Sequence, residues 1–262
     1  MRINNNITAI NSHRQYGINN SQIGKNVEKL SSGYRVNRAA DDAAGLAISE
    51  KMRTQIRGLN MASKNSQDGI SLVQTAEGAM QTAHGIMQRM RELAVQSANG
   101  TNENFDRDAL NLEFRQLDEE LGQIEKTVRF NNMSIFNKSF TIQSGANQYD
   151  TTAFTVGGIG RITNVIKTRE AASAAIAVMD GKINSLSMTR AELGAIQNRL
   201  EFKIQNLDNS AENLQAAESR IRDVDMAKMM TEFTKNSILF QASTAMLAQA
   251  NAIPQSVLQL VG

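Results

Sequence analysis

Twelve positions near the C-terminal end follow one another in alternating steps of three and four: Ile176, Met179, Ile183, Leu186, Arg190, Leu193, Gln197, Leu200, Ile204, Leu207, Ala211 and Leu214. That is a heptad seam, held far longer than in an ordinary globular helix. No proline interrupts it, since Pro254 is the only one in the chain. A seam of this length needs partner helices along its whole extent.

The partners lie upstream. Leu110, Phe114, Leu117, Leu121, Ile124 and Val128 repeat the same spacing. Ile56, Leu59, Ile70, Val73, Met80 and Met87 form a looser version, with Ser63, Ser66, Glu77 and His84 on the same seam. "SANGTNEN" breaks the pattern, with Asn99 and Gly100 as helix stops and Thr101 or Asn102 as the next start. Three long rods follow, at about 45–99, 104–129 and 168–210 onward. The predicted fold is mainly α, a long coiled-coil-like helical bundle. Between 130 and 165 β-branched and aromatic residues alternate, with turn signals at Ser144-Gly145, Asn147 and Gly157-Gly158. One or two short β-hairpins are expected there, lying on the bundle.

Both termini carry amphipathic segments. Ile3, Ile7 and Ile10 fall on one face, and Ile23, Val27 and Leu30 continue it until Ser31-Ser32-Gly33 stops the helix. The last stretch, "AMLAQANAIPQSVLQLVG", presents Met246, Leu247, Ile253, Val257, Leu258 and Leu260 with no sequence after it to cover them. A buried Leu or Val is worth roughly 1.5–3 kcal/mol over an exposed one. The two terminal helices are expected to pair, yet each buries only one stripe, so further copies of the chain are required.

Composition removes most other classes. Net charge is +2 over 262 residues, too little to attract nucleic acid or acidic lipid. Cysteine is absent, which excludes disulfides and thiolate metal sites. The start, "MRINNNITAINSHRQYG", has no apolar h-region, so no cleaved Sec signal is expected, and no run approaches the ~20 apolar residues of a membrane span. A membrane-active or chemoreceptor-like coiled coil is thereby disfavoured. So is an enzyme. His13 and His84 are far apart on helical segments, Asp41 and Asp42 are adjacent and diverge, and "GGIG" at 157–160 lacks the Lys-Ser/Thr of a phosphate loop. No catalytic residue, metal or cofactor is expected. Met226, Met229, Met230 and Met246 suit an adaptable subunit interface.

With these features in place, the chain resembles bacterial flagellin. The marks are "MRINNNITAINS", "KLSSGYRVNRAADDAAGLAIS", "MQRMRELAVQSANGT", "IQSGAN", "NLQAAESRIRDVDMAK", "AMLAQAN", "IPQ" and "SVLQLVG", in the family's order. The resemblance implies an inner (D0) domain from residues 1–33 and 216–262, a spoke at 34–44, and an outer (D1) helical domain at 45–215 with hairpins at about 130–165. That stretch leaves no room for the variable outer domains of longer members. The implied function is a structural subunit polymerising into the flagellar filament for swimming. The alternative is a hook–filament junction protein, which shares the terminal helices but not the "RELAVQSANGT" block.

The resemblance also implies partners and places. These are the chain itself in a helical homopolymer, the flagellar export chaperone and export apparatus, and cap and hook-associated proteins. The chain would be secreted to the extracellular filament without a cleaved signal. The inner polymer contacts would fall on Ile3, Ile7, Ile10, Val27, Leu30, Met246, Leu247, Ile253, Val257, Leu258 and Leu260. Asp41 and Asp42 would form ion pairs in the spoke with Arg35, Arg38 or a neighbouring subunit. In many members the vertebrate Toll-like flagellin receptor reads the D1 helix, and the matching positions here are Arg89, Leu93 and Glu113. Arg89 and Leu93, four apart, share a helical face, and antiparallel packing through "SANGTNEN" should bring Glu113 beside them.

Overall fold

A computed structural model of the chain describes residues 6–261, and side chains over 6–253. Its elements, in order, are α1 (Ile7–Ser32), α2 (Ala43–Ser97), α3 (Asn104–Thr127), β1 (Arg129–Phe130), β2 (Met133–Ser134), β3 (Lys138–Gln143), β4 (Thr151–Val156), α4 (Arg169–Arg222) and α5 (Met226–Val261). They form two compact units, one of residues 1–54 with 213–262 and the other of residues 55–212. α2 and α4 each contribute to both. At 1.5 Å per residue these two rods are each about 80 Å long.

The core of the 55–212 unit follows from the heptads. On α4, Ala172, Met179, Leu186, Leu193, Leu200 and Leu207 are all buried and all seven residues apart. α2 shows three buried or half-buried heptad stripes side by side: Val73, Met80, Met87 and Ala94; Ala76, Ala83, Met90 and Ser97; and Leu72, Ala79, Ile86 and Leu93. A helix with one partner buries one stripe, whereas α2 buries a broad face. α3 adds Phe114 and Leu121, both fully buried. The ion pairs around this core, Arg91–Asp180 at 2.6 Å and Lys167–Asp108 at 3.2 Å, are about half-exposed. Exposed pairs contribute about 0–1 kcal/mol each, so the buried seam outweighs them.

Two antiparallel hairpins occupy the expected region. β1 and β2 are joined by Asn131-Asn132, both in the left-handed conformation at φ 45° and 64°. This is the backbone a two-residue hairpin loop requires, and asparagine tolerates it. β3 pairs with β4 from Lys138↔Val156 to Gln143↔Thr151. Thr152, Phe154 and Val156 point inward and alternate with exposed neighbours, as period two demands. Gly58 and Gly69 let the hairpin approach α2, because a Cβ at either would strike Ala146 or Ile142.

From β4 the chain runs without regular structure to Thr168, across α3. Ile159, Ile162 and Ile166 are buried beneath this strap. Its backbone N–H groups are taken up by α3 side chains spaced seven apart. Ile166 N–H donates to Asn111 Oδ1 (3.1 Å), Ile162 N–H to Asp118 Oδ1 (2.6 Å) and Gly160 N–H to Glu125 Oε2 (3.3 Å). Arg161 completes Asp118 at 2.9 Å. Buried backbone amides must find acceptors, and here a helix face supplies them in place of a strand.

Candidate functional site

Two surfaces carry the residues singled out by sequence, one in each unit, and neither is a catalytic constellation. Among the described residues no group of three or more His, Asp or Glu side chains is placed to hold a metal, and no helix is long and apolar enough to cross a membrane.

In the first unit α1 and α5 pack antiparallel. Asn6 caps α1, its Oδ1 accepting from Ala9 N–H at 3.1 Å, while its Nδ2 donates to the Ala250 carbonyl at 2.7 Å. The buried and half-buried face of α1 is Ala9, Ser12, Tyr16, Asn19, Ile23, Asn26 and Leu30. Tyr16 meets Phe240 with ring centroids 4.8 Å apart. Asn19 Nδ2 donates to Ser243 Oγ at 2.9 Å and to the Leu239 carbonyl at 3.3 Å.

Several apolar residues look the other way. Ile7 is 56% exposed, Ile10 64%, Ile18 44% and Val27 48%. On α5, Met226, Met230, Ile238, Met246 and Ile253 are exposed as well, whereas Leu247 and Leu30 are half-buried in the pair. The expected inner-contact residues therefore lie mostly on the outside of the helix pair. Ile3 and the side chains of Val257, Leu258 and Leu260 fall outside the described residues.

Within one chain the spoke is held by backbone contacts rather than by pairs with Arg35 or Arg38. Among the described residues Asp41 and Asp42 form no ion pair with Arg35 or Arg38. Asp41 Oδ2 accepts the N–H groups of Arg38 (3.0 Å) and Asn37 (3.2 Å), and these bonds hold its carboxyl below the usual value of 3.8. Asp42 Oδ1 accepts Gly45 N–H at 2.8 Å and so caps α2. A short carboxylate beside a turn meets backbone donors before it can reach a guanidinium. Arg38 instead pairs with Glu28 at 2.8 Å, and an Arg35 N–H donates to the Ile221 carbonyl at 2.5 Å. The chain on either side is tied together where Tyr34 bridges Asp223 and Val224 N–H donates to the Gly33 carbonyl at 3.0 Å. Gly33, at φ 74°, ends α1 in the left-handed conformation. Arg222 lies 4.8 Å over the Tyr34 ring and also reaches Glu50, whose carboxyl it holds below the ordinary range.

In the second unit Arg89 and Glu113 meet as the antiparallel geometry requires. Arg89 Nε donates to Glu113 Oε1 at 3.0 Å, and a second Arg89 N–H reaches Glu92 at 3.1 Å. Glu113 and then Glu92 raise the guanidinium pKa above its usual value. Both ends of the Arg89–Glu113 pair are about half-exposed. Leu93 does not join them at the surface. It is fully buried, so of the three matching positions only Arg89 and Glu113 lie at the surface of the chain. Its heptad row, Leu72, Ala79, Ile86 and Leu93, faces the core. His84 and His13 converge on nothing. His84 Nε2 lies 3.0 Å from Gln88, and His13 stacks on Tyr16.

Sequence reasoning passed over two polar heptads, Ser12–Asn19–Asn26 on α1 and Asn111–Asp118–Glu125 on α3. The signal was the spacing of seven itself, which is as regular for these polar residues as for the leucines.

Comparison with known proteins gives a consistent result. Residues 3–141 match the bacterial flagellin N-terminal helical region, and residues 176–261 the bacterial flagellin C-terminal helical region. The chain is 56% identical to a flagellin of Halalkalibacterium halodurans and 48% identical to a flagellin of Bacillus subtilis, each over the whole of both chains. Among solved structures it is similar to the Bacillus cereus flagellin, with a TM-score of 0.50 and 32% identity over 59% of this chain and 94% of that one.

Proposed function

Since the chain belongs to the bacterial flagellin family and is a structural subunit of the extracellular flagellar filament, we propose how its parts serve that role. The α1–α5 pair is the inner (D0) domain and its outward apolar face is the contact between subunits. The bundle is the outer (D1) domain, and residues 34–44 are the spoke. The observation that supports this reading is the exposure of Ile7, Ile10, Ile18 and Val27 on a helix that buries Asn19 and Asn26. Ile7, Ile10 and Ile18 are turned away from α5, the helix against which α1 packs, with Val27 exposed on the flank beside Asn26, and such apolar surface has a use when further copies cover it. No comparison favours the hook–filament junction reading.

The role is structural rather than catalytic. The export chaperone takes the exposed methionines and isoleucines of α5 before assembly, and the export apparatus passes the chain on. The growing filament then meets cap and hook-associated proteins. Outside the cell the free subunit is read by the vertebrate Toll-like flagellin receptor through the Arg89–Glu113 pair, with Leu93 holding that face in shape from beneath.

The subunit contact is testable by placing a polar group on the outward face. Ile10→Asn is expected to leave monomer circular dichroism unchanged and to raise the concentration needed for filament growth roughly tenfold or more. Sedimentation of seeded samples measures it. Growth at the wild-type concentration would remove Ile10 from the contact.

A further inference from the structure

The corner between α2 and α3 carries the chain's only Asn–Gly pair, Asn99-Gly100. Both residues are exposed. The glycine does not serve the shape of the turn. Gly100 lies outside the left-handed region, and a Cβ placed on it would meet nothing within 4 Å. What its missing side chain leaves is an open main-chain nitrogen. Among the described residues the Gly100 N–H has no hydrogen-bond partner, and neither has Asn99 Nδ2. Asn99 Oδ1 does have one, the Thr101 N–H at 3.5 Å. By contrast, Asn65-Ser66, Asp68-Gly69, Asp180-Gly181 and Asn184-Ser185 lie inside α2 and α4. There each following N–H is committed to the carbonyl four residues back.

A second observation falls on the same residue. Arg107, near the start of α3, gathers the carbonyls at the end of α2. Its Nε donates to the Ser97 carbonyl at 3.1 Å and its Nη2 to the Asn99 carbonyl at 3.1 Å. Its remaining bond is to Asn104 Oδ1 at 3.5 Å, and among the described residues no carboxylate pairs with it. A guanidinium is thus held on the main-chain oxygen of Asn99 with no anion to balance it.

We propose that Asn99 is a self-modification site whose co-reactant is water. The Gly100 nitrogen attacks Asn99 Cγ. The new N–Cγ bond closes a succinimide ring, the Cγ–Nδ2 bond breaks, and the displaced nitrogen leaves as ammonia with the proton lost from Gly100. The Thr101 N–H faces the oxygen on which charge gathers in that step. Water then opens the ring. Attack at Cγ gives aspartate. Attack at the main-chain carbon of Asn99 gives isoaspartate, in which the chain continues through Cγ and the former main-chain carbonyl is a free carboxylate. Arg107 already holds that oxygen, so it polarises the main-chain carbon and pairs with the carboxylate formed there. No atom is oxidised or reduced. Each event replaces a neutral amide by a carboxylate and takes one unit from the net charge of +2. The corner keeps its tie to α3, and the subunit carries a covalent mark of its age.

The full chain, incubated as monomer at mildly alkaline pH and then digested, tests this by mass spectrometry and by isoaspartate-specific enzymatic methylation. The peptide holding Asn99 is expected to exchange N–H for O in mass, chiefly as isoaspartate. Conversion should quicken as pH rises, because the attacking nitrogen must lose its proton. The peptides holding Asn65 and Asn184 should stay unchanged. Gly100→Ala, whose added methyl meets nothing, should keep the wild-type circular dichroism and convert roughly tenfold more slowly. Arg107→Gln should convert at the wild-type rate with a larger share of aspartate. Aged wild type should melt at the temperature of the fresh protein. No conversion at Asn99 beyond that at Asn184, or equal rates for wild type and Gly100→Ala, would overturn the site. An unchanged product ratio in Arg107→Gln, or a lower melting temperature for the aged protein, would overturn the part given to Arg107.

Discussion

A chain ending at Thr244 is expected to form no filaments while residues 55–212 keep their fold. Deletion of 245–262 removes Leu247 and Ala250 from the α1–α5 seam, the carbonyl of Ala250 that Asn6 bonds at 2.7 Å, and the exposed Met246. It also removes Val257, Leu258, Leu260 and Val261, which sequence alone marks as apolar. None of these belongs to the bundle core, whose buried cluster runs from Leu72 to Leu193. Loss of several apolar contacts at about 1.5–3 kcal/mol each, repeated in every subunit, exceeds what a helical polymer can spare. Circular dichroism should show a bundle melting at the wild-type temperature, and electron microscopy a field without filaments. Filaments of ordinary length would mean that the C-terminal end is dispensable for the contact.

Leu93→Ala is expected to destabilise the 55–212 unit by about 2–5 kcal/mol, the usual cost of emptying a closed leucine site. Leu93 is fully buried among rows of α2 residues that all face the core, so little can move in to fill the space. Arg89→Ala, by contrast, removes a half-exposed pair with Glu113 and should leave the melting temperature nearly unchanged. Receptor signalling separates the two further. With monomeric protein, Arg89→Ala should be roughly tenfold less potent without any change in stability. Leu93→Ala should lose potency in step with the fraction unfolded as temperature rises. An unchanged melting temperature for Leu93→Ala would contradict the packing, and equal potency of Arg89→Ala and wild type would remove the receptor role from Arg89.

Much of the bundle was legible because its interior is made of leucine and methionine at a strict period. Met179, Leu186, Leu193, Leu200 and Leu207 are buried where the heptads place them, and Val73, Met80 and Met87 likewise. The breadth of α2's buried face was harder to see. Ala76 and Ala83 carry one of its stripes, and alanine does not stand out in a hydrophobic count. The burial of Leu93 was hard to see for the same reason, since its row includes Ala79. The β1–β2 turn rests on Asn131 and Asn132 in the left-handed region, a weaker signal than Asn-Gly.

At α1 the ordinary rule picked the wrong side. It assigns isoleucines to the inside and asparagines to water, because it assumes that the chain covers its own apolar surface. Here Asn19 and Asn26 are buried and Ile10 is exposed. The strap over α3 is hard to read because its anchors, Asn111, Asp118 and Glu125, are polar; their spacing of seven marks one face of α3 but not the backbone amides that the face serves.

If this filament subunit has terminal helices that are completed by copies of itself, purified monomer must add to existing filament ends. Electron microscopy of purified monomer seeded with short filament fragments tests it most directly. The seeds are expected to lengthen into continuous filaments as free monomer is consumed. Seeds that persist without growing, in a solution where the monomer remains soluble and its bundle folded, would contradict it.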